Sequence, residues 1–399
     1  MIYNIFNFPQ IYAYPFLGNP LVIYYHPAIV YIFSLTILKN ITTHCPKDSF
    51  YHPKQNLSYI FDLYRKKATP YKNCCDYLLY ISFFPQLVAG PIVRASFFLS
   101  QLKNRRKIGK AHLLGGLERI IHGLFLKLVV ADNLAEFVNN NWENAYYIEN
   151  GAELPLCLII AFGCQIFGDF AGYSLIALGV ALSFGIVLPR NFRSPYIASS
   201  LSEFWQRWHR TLSKWIRDYL YIPLGGSRQT KARIAIVLVL VMTASGLWHG
   251  NTMSFGFWGA LHGFALVLDR FTFRTAARKT ENEMVRTCIS FSRALFCFGT
   301  VMILWVFFRE QSTFLALLFL RSLFMGEFSL TNLQALLADN PLAAYAFAIV
   351  VFTHATAYAR QRKRISYFKG LDRVFICIFC VINCLFVYGS SSTFIYFRF

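Results

Sequence analysis

The 399-residue chain is 56% hydrophobic and 15% charged, against roughly 25% charged residues in a soluble domain, which excludes a water-soluble enzyme and predicts one polytopic membrane bundle. The formal charge of +20 lies in short Lys/Arg clusters between apolar runs, with no recognition motif beside them. It therefore speaks for anchoring to anionic headgroups in a lipid bilayer and for the positive-inside signal, and against nucleic acid as a partner. The ten cysteines suggest no disulfide framework: Cys377, Cys380 and Cys384 recur at helical spacing in an apolar run, as small packing residues do.

In chain order, Met1 to Gly18 has no basic n-region and no clean cleavage site, so no removable signal peptide is expected. Leu21 to Leu38 is the first uncharged run approaching the roughly 20 residues that span a bilayer. Tyr77 to Val93 is the second, but Pro85, Gly90 and Pro91 predict a broken or re-entrant segment. Pro155 to Leu188 carries one charge, Asp169. As a single helix this run would reach about 50 Å, so it is read as two segments or one long tilted helix bent near its glycines. Over Glu203 to Leu220, Trp205, Trp208, His209, Leu212, Trp215, Ile216 and Tyr219 recur at three- and four-residue steps, with Arg207, Arg210, Lys214 and Arg217 on another face. That pattern predicts one amphipathic helix in the interface plane, ending before Tyr221 to Gly226.

Ile234 to Leu268 holds 35 residues without Asp, Glu, Lys or Arg and is expected to turn around His249-Gly250-Asn251. Ala294 to Phe308, Asn340 to Ala359, Val374 to Phe397 and a shorter run near Phe314 to Leu320 follow. The fold-class expectation is all-α: an integral membrane bundle of about eight to ten segments, several broken or re-entrant, around a central funnel. Basic clusters at Lys103 to Lys110, Arg228 to Arg233, Arg274 to Lys279 and Arg360 to Lys369 mark cytoplasmic connections.

An ionisable side chain inside such an apolar run points to a functional site, and His249 is that residue. His209, on the apolar face of the Glu203 to Leu220 segment, is a second candidate, since a plain surface anchor needs no titratable group there. His262 lies thirteen residues beyond His249, a different face of an unbroken helix, and is read as structural; His122 and His354 are expected to be packed and hydrogen-bonded. No two histidines stand at i, i+3 or i, i+4 and HExxH is absent, so no metal site is expected. Gly-x-Ser-x-Gly is absent too, which leaves Ser213 and Ser245 as small residues at helix contacts.

The run Glu203-Phe204-Trp205-Gln206-Arg207-Trp208-His209, continued by Ser213, Trp215 and Arg217-Asp218-Tyr219-Leu220-Tyr221-Ile222-Pro223-Leu224-Gly225-Gly226, resembles the central signature of the membrane-bound O-acyltransferases. The nearest subgroup is that of alginate O-acetylation, with its peptidoglycan O-acetylating relatives. Phe83 to Arg94, Ala131 to Ala135, Asn191-Phe192 with Ser194-Pro195-Tyr196, and Trp305 to Arg309 resemble further family blocks. Gly246-Leu247-Trp248-His249-Gly250 followed by Trp258 to Gly263 is similar to the histidine block, and Phe394 to Phe399 to the terminal one. The resemblance covers about Gln55 to Phe399, so residues 55–399 are expected to form the family's membrane domain. Residues 1–54 do not look like the membrane segments that usually precede it and are set apart as an atypical N-terminal segment with one possible helix. Where the family often has Asp after Gly-Tyr-Ser, Leu175 stands here and takes no role.

The resemblance implies that His249 is the principal catalytic residue and His209 a second functional one. Chemistry agrees: acyl transfer to an alcohol needs a base for the hydroxyl and groups that stabilise the oxyanion, and neutral imidazole suits the first task. Trp248, Arg217 and Asp218 are candidate supporting residues, although a surface pair of Asp218 with Arg217 or Arg207 is the simpler expectation. The resemblance further implies acetyl-CoA or a related acyl thioester as donor with no bound cofactor, a polysaccharide acceptor (alginate-like exopolysaccharide or peptidoglycan), a periplasmic acetyltransferase partner, and a multi-pass place in the bacterial inner membrane. A transporter or flippase with an intramembrane histidine relay, and an inactive membrane scaffold, are the rival readings.

Overall fold

The computed structural model describes residues 53–71, 73–87, 90–104, 107–250, 252–273, 283–363, 371–387 and 389. The run Leu21 to Leu38, nearly all of the segment 1–54, the basic cluster Arg274 to Lys279 and the terminal block Phe394 to Phe399 lie outside the described residues. Among those described there is helix and loop but no strand. The helices are α1 (Pro53–Tyr64), α2 (Cys74–Ser82), α3 (Ala95–Lys103), α4 (Lys110–Phe125), α5 (Asp132–Asn141), α6 (Glu153–Ser183), α7 (Leu201–Arg207), α8 (Arg210–Ile216), α9 (Lys231–His249), α10 (Met253–Leu268), α11 (Glu283–Arg309), α12 (Thr313–Met325), α13 (Leu330–Asp339), α14 (Pro341–Lys363) and α15 (Leu371–Phe386).

Among the described residues, four spans are long and apolar enough to cross a membrane: Glu153–Ser183, Lys231–His249, Thr287–Arg309 and Pro341–Ala359. The other described apolar stretches form shorter or interrupted helices. Tyr77 to Val93 is broken as its prolines require: α2 ends at Ser82 and a single 3-10 turn, Phe84–Gln86, follows. Ile234 to Leu268 does turn where expected, with α9 ending at His249 and α10 beginning at Met253.

Pro155 to Leu188 resolves to one helix. The 31 residues of α6 run without interruption, about 46 Å at the α-helical rise. Its apolar window is 83% buried, against 17% for the span in α14, so α6 is the central post and α14 presents most of its surface outward. The glycines of α6 allow close approach rather than a bend. A Cβ on Gly123 of α4 would come 2.6 Å from the carbonyl oxygen of Gly172, and one on Gly172 would come 2.7 Å from that of Gly123. Seven residues away, Gly116 and Gly179 repeat the arrangement in antiparallel register. Lipid tails are as apolar as leucine, so helices here associate by such backbone contact. The α9–α10 hairpin closes by the same means, Gly246 lying against the Phe255 carbonyl and Gly263 against Val239.

Two further departures from a straight bundle matter for the site. Leu126–Ala131, between α4 and α5, is a π-helical stretch that carries Lys127 into the interior. There its Nζ lies 2.7 Å from Asp132 and 3.1 Å from Asp169 of α6. The predicted single helix over Glu203 to Leu220 is instead two short helices, α7 and α8, broken at Trp208-His209, and then a π-helical turn, Arg217–Tyr221. The break is at His209, whose φ of 38° lies in the left-handed region, uncommon for a residue with a side chain. Trp208, Leu212 and Trp215 are buried in protein, so the aromatic face covers the core and does not rest on lipid.

Candidate active site

His209 is fixed by backbone on both sides. Ser200 caps α7 by accepting from Glu203 N, and Glu203 accepts from the Ser199 amide and from Arg207. Although burial opposes ionisation, these hydrogen bonds hold the Glu203 carboxyl below its ordinary range. Beyond the break, Arg210 N donates to Asn191 O at 2.9 Å and Ser213 N to His209 O at 3.0 Å, starting α8. The side chain of Asn191 bonds Ser174 of α6 and accepts from Thr211 at 2.6 Å. Thr211 in turn accepts from Ile92 N. His209 is thereby held buried and edge-on to Phe170 of α6, with ring centroids 4.7 Å apart.

His249 is the last residue of α9, at the hairpin turn, and is half-buried. Its ring is walled by Trp248, Trp258 and Phe308 at centroid distances of 4.9, 5.5 and 5.5 Å. Ser254, fully buried, donates to Phe307 O at 2.7 Å and ties the hairpin to the end of α11. Just beyond, Glu310 accepts from the indole of Trp142 and the hydroxyl of Tyr146, while Arg309 stacks on Trp142 at 4.5 Å.

The two histidines border one core. A file of indoles runs between: Trp258, against His249, stacks on Trp305 at 5.8 Å, and Trp305 meets Trp208, the neighbour of His209, at 5.0 Å. His262 lies on the flank of this file, fully buried against Trp205 and Trp258, and neither ring nitrogen has a hydrogen-bond partner among the described residues. It is thus packed but not bonded. His354 contacts Val350 O through Nδ1 at 2.9 Å, as a packed histidine should.

Asp218 pairs with Arg217 at 2.8 Å, as expected, and also with Arg94 from the Phe83 to Arg94 block. Arg207 does not share it; that side chain is engaged by Glu203. Trp248 stands against His249, whereas Arg217 lines a separate cavity, so the supporting residues fall into two groups. Sequence reasoning missed the Lys127–Asp132–Asp169 cluster and Glu310. The isolated charge of Asp169 in its apolar run was the one available signal for the first.

Arg94, Arg217 and Asp218 line a cavity of about 390 Å³ that also exposes Arg190, Arg210 and Lys214. Burial, and then the neighbouring charges of Arg193 and Arg190, push Arg210 below the ordinary guanidinium value. A second cavity, of about 200 Å³, lies between α7, the first turns after α10 and α11, lined by Glu203, Gln206, Asp269, Arg270 and Arg293. The second cavity is also lined by Leu238 of α9, eleven residues and about 16 Å along the helix from His249, and neither cavity is lined by a residue of the His249 turn.

Comparison with known proteins supplies the family. Residues 28–313 match the membrane-bound O-acyltransferase family, a match that begins inside the segment 1–54. The chain is 35% identical over 303 residues to the probable alginate O-acetylase of Azotobacter vinelandii, covering 74% of this chain and 58% of that protein. It is 33% identical over 345 residues to the peptidoglycan O-acetyltransferase of Helicobacter pylori, covering 81% and 64% respectively. A teichoic acid D-alanyltransferase of Streptococcus thermophilus is 31% identical over 226 residues, 52% of each chain. The chain spans about three-fifths of the length of the first two relatives. With helices and no strand among the described residues, four of those helices able to cross a membrane, and a match over most of its length, this chain belongs to the membrane-bound O-acyltransferase family.

Proposed function

We propose that the chain is an O-acetyltransferase of the bacterial inner membrane. On this reading it takes an acetyl group from acetyl-CoA or a related acyl thioester at the basic, cytoplasmic end and passes it to a hydroxyl on the opposite side. A periplasmic acetyltransferase partner then completes O-acetylation of a polysaccharide. The alginate and peptidoglycan relatives support that acceptor class. The observation that carries the reading is the position of His249: a half-buried imidazole at a membrane hairpin turn, walled by two indoles and a phenyl ring.

In the step itself, His249 takes the proton from the acceptor hydroxyl as its oxygen bonds to the acyl carbon. The carbon–sulfur bond then breaks, and the thiolate leaves and regains a proton. Apolar walls exclude water that would otherwise hydrolyse the thioester. His209, buried beside Phe170, orients the acyl group or donates to its oxygen. Trp248 fixes the His249 ring, and Asp218 fixes Arg94 and Arg217 at the donor end.

The test is acetyl transfer from labelled acetyl-CoA by the full chain, reconstituted with its periplasmic partner. His249→Ala is expected to lose about 10²- to 10⁴-fold in rate, and His209→Ala to lose rate while the protein remains folded. Undiminished transfer in His249→Ala would remove the assignment.

A further inference from the structure

We propose that the second cavity, where α7 faces α10 and α11, holds the headgroup of one phosphatidylethanolamine. Its phosphate sits on Arg270 and Arg293 and its primary ammonium on Asp269. The cavity shares no lining residue with the basic one, and the binding does not rest on the acetyl-transfer reading.

Arg293 is the informative residue. It lies six residues inside the span Thr287–Arg309, about 9 Å along the helix, where a guanidinium group needs partners. Among the described residues it donates no hydrogen bond, and its carboxylate neighbour, Asp269 Oδ1, stands 4.0 Å away. Arg270 makes one long hydrogen bond, 3.5 Å to the Tyr221 hydroxyl. Two guanidinium groups thus border a space of about 200 Å³ with most of their N–H groups unused. Their paired donors match the oxygens of a phosphate.

The carboxylates say what else the ligand carries. Both oxygens of Glu203 are taken, one by Arg207 and the other by Ser199. Asp269 accepts only from Ser202 N, on Oδ2 at 3.2 Å, which leaves Oδ1 open to a donor. A bare anion on the two arginines would meet that charge and be repelled. An ammonium tethered to the phosphate turns the repulsion into a hydrogen bond.

The surroundings make the ligand a lipid. Leu238 and Leu266 form an apolar wall of the cavity. On either side of its charged residues, Phe264 and Leu268 of α10 and Phe291 and Leu295 of α11 are exposed. In a membrane chain such side chains meet acyl chains. The headgroup fills the cavity, and its hydrocarbon lies against this surface. So placed, the lipid ties α7, which ends at the break beside His209, to α10 and α11.

The full chain in mild detergent is given equal amounts of phosphatidylethanolamine, phosphatidylcholine and phosphatidylglycerol, and retained lipid is counted by native mass spectrometry. One phosphatidylethanolamine per chain is expected, favoured about tenfold over phosphatidylcholine, whose quaternary ammonium has no N–H to donate. Arg270→Gln and Arg293→Gln are expected to lose it, while Arg228→Gln, exposed and outside the cavity, keeps it. Asp269→Asn is expected to hold a lipid but to lose the preference over phosphatidylglycerol. Thermal unfolding shows which variants are folded; should Arg293→Gln not be, Arg270→Gln, outside the four spans, decides. Equal retention of the three lipids by wild type, or full retention by a folded arginine variant, overturns the proposal. Displacement of the lipid by soluble phosphoethanolamine, which lacks the chains, overturns it too.

Discussion

The two ends of α9 solve opposite problems. At its start, charge is gathered and left open: Arg94 and Arg217 are about half exposed, and the cavity beside them has a polar rim. At its end, a single imidazole is surrounded by Trp248, Trp258 and Phe308. An exposed ion pair contributes little to stability, so the charges of the basic end are open to an anion, whereas aromatic rings shield the imidazole at the other.

The largest effect should come from the aromatic end. His249→Ala is expected to reduce acetyl transfer by about 10²- to 10⁴-fold with little change in stability, since the ring is only half-buried. Equal loss of fold and activity, measured by thermal unfolding in detergent alongside turnover, would break the contrast by making His249 a packing residue. Next comes the buried charge cluster between the ends. Lys127→Ala leaves Asp132 and Asp169 facing each other almost without solvent, and should cost about 3–5 kcal/mol of stability; Lys127→Arg should recover part of it.

A smaller effect is expected at Glu310. Glu310→Ala strands the buried Trp142 indole and the Tyr146 hydroxyl, costing about 1–3 kcal/mol. Arg94→Ala should be the mildest, below about 1 kcal/mol in stability, because the side chain is 47% exposed. A loss as large as that of Lys127→Ala would mean that the basic end is a structural network and not an open site.

The hairpin was legible because lack of charge over Ile234 to Leu268 demanded two passes, and His249-Gly250-Asn251 interrupted it near its middle. The continuity of α6 was not, because a glycine in sequence does not declare whether it bends its own helix or admits a neighbour. Gly172 and Gly179 admit Gly123 and Gly116. The break at His209 was hidden for a related reason. Trp205, Trp208 and Leu212 keep helical spacing and are packed inward although the helix breaks between them, and periodicity records burial but not φ. The Arg94–Asp218 pair spans 124 residues and exists only once α3 and the turn after α8 are brought together. The candidate histidines could be read from composition and resemblance; the charged cavity beside one of them could not.

The central claim is that donor and acceptor occupy opposite ends, with His249 between them on the acceptor side. In sealed vesicles of one orientation containing the chain and its periplasmic partner, labelled acetyl-CoA is supplied to one face at a time. The account predicts acetylated acceptor on the far face only when the label meets the face bearing Arg210 and Lys214, and none with His249→Ala. Equal transfer from either face, or transfer that survives His249→Ala, would contradict it.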